Sequence, residues 1–311
     1  MTAEPLLLAH RAVLAPLLAA RWSAADPPET TLADPWFANL WLFRAAHDWH
    51  WLRGDWPCIA GRAYDGARLL LPLFDLAAAP LPVLRTLLYG HDHGPGHAHG
   101  PGHAHDRGQD QGHGAFGPLS AAQAARLPPA SWAFAHSRDD ADYLYPADQF
   151  RHYPGRLLHK KRNLLRQLRA AHEVQAVPYR TALAADAERV LDGWMDDKAK
   201  QPGDTDDGPC RQALAQADLL ALDGTVYYIG GRAAGFVLAE ATRPGVMVMR
   251  FAKGLRAHKG LYPHMFQQFC QARPGLQWLN FEQDLGLANF RQTKLSYQPA
   301  ALLDKLRARP R

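Results

Sequence analysis

The sequence predicts an α+β fold, and three observations carry that prediction. In the second half a helix, three strands, a helix, a strand, a short helix and a last strand follow one another. The three strands are joined by Gly230-Gly231-Arg232 and Thr242-Arg243-Pro244-Gly245, connections short enough to make them antiparallel neighbours. In the first half Asp65-Gly66 separates two apolar runs, the signal of a two-residue hairpin.

Taken in order, residues 36–44 read as a helix entered through Asp34-Pro35, because proline is preorganised for the first helical position. Strands at 58–64 and 67–73 flank the hairpin turn, and 81–89 returns to helical character. A short helix is expected at 120–127 and a strand at 132–136. Leu157, Leu158, Lys161, Leu164, Leu165 and Leu168 then recur with helical period, with Arg156, Lys160, Asn163, Arg166, Gln167 and Arg169 largely on the other side. A helix at 184–198 and an Asp-rich loop come next. The meander is placed at 225–230, 235–240 and 245–251, a helix at 261–272, a strand at 277–281, a short helix at 287–291 and a last strand at 293–297. This suggests two domains, 1–150 and 151–311, the second opening with the basic helix.

The chain has 311 residues, 47% hydrophobic and 21% charged, enough apolar material for a sizeable core. No apolar run approaches the roughly 20 residues of a membrane span, and the run at 12–20 is broken by Pro16 and framed by Arg11 and Arg21, so neither a span nor a secretory leader is expected. Cys58, Cys210 and Cys270 are odd in number and widely spaced, which excludes a disulfide framework and a cysteine zinc site and fits a cytoplasmic protein. The formal net charge is +5. Seven cations lie between Arg151 and Arg169 with no acid among them, whereas Asp186 to Asp207 holds eight acids and three bases. Such a change of sign orients an anionic ligand.

Between His91 and Gly114 the chain is low-complexity, with seven histidines and a duplicated Gly-Pro-Gly-His-Ala-His. It reads as a surface insert in the first domain. Its His-x-His pairs suit adventitious binding of a divalent metal such as zinc or nickel, and no catalytic metal is expected.

The element order of the second half is that of GCN5-related N-acetyltransferase (GNAT) domains. Three groups of residues sharpen this: Asp142-Tyr143-Leu144-Tyr145; Pro154-Gly155-Arg156 with His159-Lys160-Lys161-Arg162-Asn163; and Asn280-Phe281-Glu282-Gln283-Asp284-Leu285-Gly286 with Lys294-Leu295-Ser296-Tyr297. Together they resemble the phosphatidylglycerol lysyltransferase C-terminal domain family, from about Trp36 to Leu306. That resemblance implies tandem GNAT-like domains with mixed, mainly antiparallel sheets, the first degenerate. It also implies an acyltransferase that moves an aminoacyl group from aminoacyl-tRNA to a hydroxyl or amine of a lipid or small molecule, needing no further cofactor. Such a protein would work in the cytoplasm, where a lipid acceptor would bring it to the inner face of the membrane.

Within this frame the strand alternation places Trp278, Asn280 and Glu282 on one face, with Glu282 at the open end. Glu282 or the neighbouring Asp284 is then a candidate general base, or else a cap for the helix that follows. Amides freed where the strands 245–251 and 277–281 splay would receive the developing oxyanion. Lys294 and Tyr297 either stabilise the leaving group or complete the packing. Lys160, Lys161, Arg162, Asn163 and Arg166 are candidates for the tRNA donor, or form a solvated helix face.

An acyl-CoA donor is the first alternative. The loop Gly254-Leu255-Arg256-Ala257-His258-Lys259-Gly260 lacks the usual glycine spacing of a pyrophosphate cradle, although Arg256 remains able to meet an anion. The second alternative is a non-catalytic module that binds RNA or another anionic partner through the basic helix.

Overall fold

A computed structural model of the protein describes residues 2–89 and 114–311. The histidine tract at 91–113 lies outside the described residues.

Strands β1 (Thr2–Pro5), β2 (His50–Arg53), β3 (Cys58–Arg62), β4 (Arg68–Pro72), β5 (Ala115–Leu119) and β6 (Trp132–Ala135) belong to one sheet. A second sheet takes β7 (Asp142–Pro146), β8 (Val174–Pro178), β9 (Leu222–Ile229), β10 (Arg232–Arg243), β11 (Val246–Gly254), β12 (Trp278–Asn280) and β13 (Ala301–Leu303). The last strand, β14 (Leu306–Pro310), returns to the first sheet between β5 and β6. The two sheets repeat one plan: β1-β2-β3-β4-β5-β14-β6 against β8-β9-β10-β11-β12-β7-β13. In each, the one parallel pair is the fourth and fifth strand, β4 with β5 and β11 with β12. The sixth position is filled reciprocally, each half of the chain supplying that strand to the other half's sheet. Two strands therefore cross the division at residue 150, and neither sheet is complete without the other half.

The Asp65-Gly66 hairpin forms as expected, with Arg62 opposite Arg68 across the turn. So does the meander, with β9, β10 and β11 antiparallel. Two expectations fail: the stretch read as an Asp-rich loop after the helix at 184–198 contains the helices Asp207–Ala215 and Ala217–Leu220, and the strand expected at 293–297 is absent. Residues 293–297 form no strand, because 293–295 complete the helix Ala288–Leu295. Lys294 explains this: its ammonium reaches back to the carbonyls of Phe281, Glu282 and Gln283, and that tertiary tie overrides the alternating Thr-Lys-Leu-Ser-Tyr pattern.

One apolar cluster joins the two halves, running from Leu14, Phe37 and Trp51 to Leu191, Phe236, Leu238 and Phe251. A second lies on the opposite face of the second sheet and contains Tyr145, Phe150, Tyr153, Phe266, Phe281 and Tyr297. The basic helix (His159–Ala171) and the helix Leu261–Gln271 pack on this side. Their crossing is close because Gly260 has no side chain: a Cβ there would stand 2.3 Å from the carbonyl oxygen of Leu164, and the residue has φ +94°. Gly260→Ala is expected to destabilise the protein by roughly 2–4 kcal/mol, combining left-handed strain with backbone overlap. Chemical denaturation of the two proteins measures it.

Candidate active site

The feature expected of a transferase of this fold is present: β11 and β12 part company. They pair only at Val246–Trp278, Met247–Leu279 and Val248–Asn280. Beyond that point β11 stays with β10 as far as Gly254, whereas the chain after β12 stays with β7. There Phe281 N–H donates to the Tyr143 carbonyl at 2.9 Å, and Tyr143 N–H to the Glu282 carbonyl at 3.1 Å. The gap so formed has an aromatic side and a polar side.

The polar side is built around a residue the sequence did not single out. Between Leu238–Phe251 and Ala239–Met249 the β10–β11 register slips, leaving Arg250 as the extra residue of a bulge. Met249 packs on the apolar face of Val237 and Ala239, so alternation sends Arg250 to the other face, that of Glu240, and the bulge lets Phe251 return to this same face beside Leu238. There Arg250 joins Glu240. Its Nε and Nη2 donate to Glu240 Oε2 at 2.9 and 2.6 Å, Nη1 to Glu282 Oε1 at 2.5 Å, and Nη2 to the Ala33 carbonyl at 2.8 Å. Burial opposes its charge, but the two carboxylates outweigh burial and raise its pKa further. The other oxygen of Glu240, Oε1, accepts Ala38 N–H at 3.3 Å, in the helix Phe37–Leu42.

Glu282 itself is in the left-handed region, φ +57°. Its N–H donates to Asn280 Oδ1 at 2.7 Å, and Asn280 Nδ2 donates to the Thr31 carbonyl and to Asp142 Oδ2, both at 3.1 Å. The predicted face relationship of Asn280 and Glu282 is thus present, with Asn280 orienting the backbone of Glu282. Burial raises the Glu282 pKa and Arg250 partly offsets it, the net direction being upward. The side chain is 23% exposed.

Asp284 is placed differently. It is fully covered and accepts five hydrogen bonds: from Tyr143 OH at 2.5 Å, Arg138 at 3.3 Å, Arg291 at 2.8 and 2.9 Å, and Gly286 N–H at 2.9 Å. Burial pushes its pKa up, but these partners hold it well below the usual carboxylate range. Such a saturated anion holds the loop after β12 in shape.

Lys294, with its ammonium on three carbonyls of that loop, has its pKa pushed down by burial to about 8. Tyr297 is 4% exposed among Phe150, Phe266 and Phe281, and burial raises its pKa.

The basic helix divides. Lys161 turns inward, donating to Ser296 Oγ at 2.8 Å with its ammonium 3.5 Å from the centre of the Tyr297 ring, and burial lowers its pKa to about 8. Arg162 bonds the carbonyls of Tyr153 and Gly155, and Arg166 bonds Asn163. Arg156, Lys160, Arg166 and Arg169 are exposed.

The loop 254–260 is largely closed to an anion. Gly254 N–H donates to Tyr262 OH, Leu255 N–H to the Ala234 carbonyl, His258 N–H to the Leu255 carbonyl, and Arg256 N–H to Asp197 at 2.7 Å. The Arg256 side chain stays exposed. Among the described residues no group of three or more His, Cys, Asp or Glu gathers to hold a metal, and no helix is long and apolar enough to cross a membrane.

The two sheets repeat one plan, and the second has a parted strand pair with a carboxylate at its mouth, the arrangement expected of a tandem acyltransferase fold. The family model for the phosphatidylglycerol lysyltransferase C-terminal region matches residues 102–309, well over half of the chain, which therefore belongs to that family. Among solved structures, a conserved protein of unknown function from Bacteroides thetaiotaomicron shares 20% identity at TM-score 0.76, with all of both chains covered. The C-terminal domain of a protein assigned as lysylphosphatidylglycerol synthetase from Agrobacterium fabrum shares 14% at TM-score 0.59, covering 97% of this chain and 92% of that one. L-PGS from Bacillus licheniformis shares 13% at TM-score 0.55, covering 89% and 92%. No curated protein matches the sequence.

Two measurements test the site's electrostatics. Arg250→Met leaves two carboxylates beside each other without their cation and should cost about 3–5 kcal/mol by denaturation, part of which Glu240→Gln restores. For Asp284, a depressed folded pKa means a stabilising contribution that is full above the unfolded value of roughly 4 and lost as pH falls below it. Asp284→Asn should therefore be less stable than wild type at pH 7, with the gap closing as the pH is lowered towards 2.

Proposed function

We propose that this protein transfers an aminoacyl group from aminoacyl-tRNA to a hydroxyl or amine on a lipid or small molecule. The observation that carries the reading is the parting of β11 from β12 after Val248 and Asn280, with Glu282 at the mouth of the gap. The ester carbonyl of the donor lies in that gap, its oxygen towards the β11 amides beyond Val248, which stabilise the charge of the tetrahedral intermediate. Glu282 takes the proton from the acceptor as its oxygen or nitrogen attacks the carbonyl carbon. When the intermediate collapses, the bond to the tRNA ribose oxygen breaks, and the same carboxyl returns the proton to that oxygen. An upward-shifted pKa makes Glu282 the stronger base, and Arg250 keeps it oriented.

The choice of donor is supported by the loop 254–260. Four of its amides already have acceptors, the Asp197 carboxylate stands beside Arg256, and the basic helix crosses at Gly260. A pyrophosphate would have to displace these partners. Arg156, Lys160 and Arg166 remain available to phosphates of a larger anion, which gives salt-dependent affinity. A lipid acceptor would place the protein at the inner membrane face.

Incubating the pure protein with charged tRNA and candidate acceptors tests the proposal. Glu282→Gln should lower transfer by roughly a hundredfold or more while leaving tRNA binding intact. CoA thioesters should leave the melting temperature unchanged. Transfer from a CoA thioester would replace the donor, and tRNA binding without any turnover would leave only an RNA-binding module.

A further inference from the structure

A cavity of about 260 Å³ lies away from the gap, where the edge strand β8 and its neighbour β9 run past the end of the helix Leu261–Gln271. Three strand spacings, about 14 Å, separate it from the parted pair. Its floor is two cross-strand pairs on one face of the sheet, Ala176 with Tyr227 and Pro178 with Thr225, and Gln268 and Ala272 form its wall on the helix side. The space exists because Ala176, Pro178 and Ala272 are too small to fill it.

Charge in the cavity is already matched. Arg273 donates Nε and Nη2 to the two oxygens of Asp223, both at 2.6 Å, and Nη1 to the Phe269 carbonyl at 3.0 Å. An anion would meet Asp223 and a cation would meet Arg273, so the lining suits a neutral ligand. The hydrogen-bonding groups, by contrast, are unmet. Among the described residues the half-buried Gln268 amide has no partner. One turn earlier on the same helix face stands His264, 4% exposed, its ring edge-on to Tyr227 with centres 6.2 Å apart and neither ring nitrogen bonded. Burial, with Arg169 nearby, lowers its pKa to about 4, so the ring is neutral and has one donor and one acceptor. A sugar would want an open aromatic face, and Tyr227 is fully covered. A small apolar floor with a primary amide at its side suits a planar base, which is held by its face and recognised at its edge. A volume just under the roughly 300–1,000 Å³ of drug-sized pockets accommodates one such ring system.

We propose that this cavity binds an adenine base, its N6 amine donating to the Gln268 amide oxygen, its N7 accepting from the amide nitrogen, and its face on Ala176 and Pro178. A ligand that reaches one turn further along the helix meets His264. The base comes from a free nucleoside or from an unpaired position in an RNA. The site needs neither Glu282 nor the gap, so it stands apart from the transfer reading.

Calorimetric titration of the full chain with adenosine and inosine tests the pairing, because inosine has an acceptor oxygen in place of the N6 amine. Adenosine should bind at least roughly fivefold more tightly than inosine. Gln268→Leu, which keeps the bulk and removes the amide, should weaken adenosine by at least that factor and abolish the preference. Ala176→Leu, at an exposed position of β8, fills the cavity and should remove binding as well. Circular dichroism of each variant checks that it is folded. No binding at millimolar adenosine, equal binding of inosine, or full-strength binding by either variant would overturn the proposal. Oligoadenylate and oligouridylate of equal length separate the two sources, since the basic helix attracts their phosphates alike. A preference for oligoadenylate larger than that for adenosine over uridine assigns the site to RNA, and no such gain assigns it to a free nucleoside. None of these measurements requires turnover, so failure of the transfer assay leaves them intact.

Discussion

A guanidinium cut off from water must find acceptors inside the protein, and Arg250 dictates much of this structure by the way it finds them. Its side chain is fully covered, and its acceptors come from three places: Glu240 on β10, Glu282 beyond β12 and the Ala33 carbonyl of the first half. Arg250 reaches all three from the Glu240 face of β11, where the bulge also lets Phe251 return to the apolar core beside Leu238. It also holds Glu282 on the polar side of the gap, after the backbone has turned through a left-handed residue. Bulge, gap, candidate base and docking of the two halves are thus one arrangement. Removing the cation disturbs all four, since a buried carboxylate without its partner is far more costly than the pair.

The reciprocal strand exchange gives that arrangement a rigid frame. β7 pairs with both β12 and β13, and β14 pairs with both β5 and β6, so each half is stitched through the other's sheet. Asp142, at the start of β7, and Lys305, just before β14, form an ion pair at 2.7 Å where the exchanged strands pass each other. The pair is buried, and Asp142 also accepts Ala33 N–H at 2.7 Å. Relative motion of the halves would break main-chain ladders as well as ion pairs. The walls of the gap between β11 and β12 are therefore fixed in advance, an arrangement that favours orientation of groups within it over closure around them.

How much of this could be read from the sequence follows from which interactions are local. The basic helix, the meander and the Asn280–Glu282 face relationship were legible because periodicity and turn chemistry act over a few residues. Arg250 left a signal that went unused: a lone charge in Val246-Met-Val-Met-Arg-Phe, amid a strand otherwise apolar up to that point, cannot be buried without a partner. β14 left almost none, because Leu-Arg-Ala-Arg-Pro looks like a frayed terminus and its partners lie at the other end of the chain. The helices Asp207–Ala215 and Ala217–Leu220 were hidden within an Asp-rich stretch whose apolar members, Cys210, Ala213, Leu214 and Leu220, are few and small. The roles of Asp284 and Lys294 were invisible for the same reason as β14: four residues from two stretches of chain, 138–143 and 286–291, saturate the first, and the second acts through backbone carbonyls, which have no sequence code.

The charge of the protein acquires a sense once surface and interior are separated. The surface of the basic helix presents Arg156, Lys160, Arg166 and Arg169, whereas at the seam between the halves six carboxylates surround Arg250, Lys305 and Arg307, with Lys294 close to Glu282. A protein that recognised only a polyanion would have no use for a negative interior, and one that recognised only a small cation would have no use for a positive helix. The aminoacyl-tRNA donor proposed above combines both signs in one molecule: a phosphate backbone and, at its very end, an ammonium one bond from the carbon that bears the reactive carbonyl. Long-range attraction by the helix and short-range repulsion of phosphate by the seam would together admit only the charged tip to the neighbourhood of Glu282.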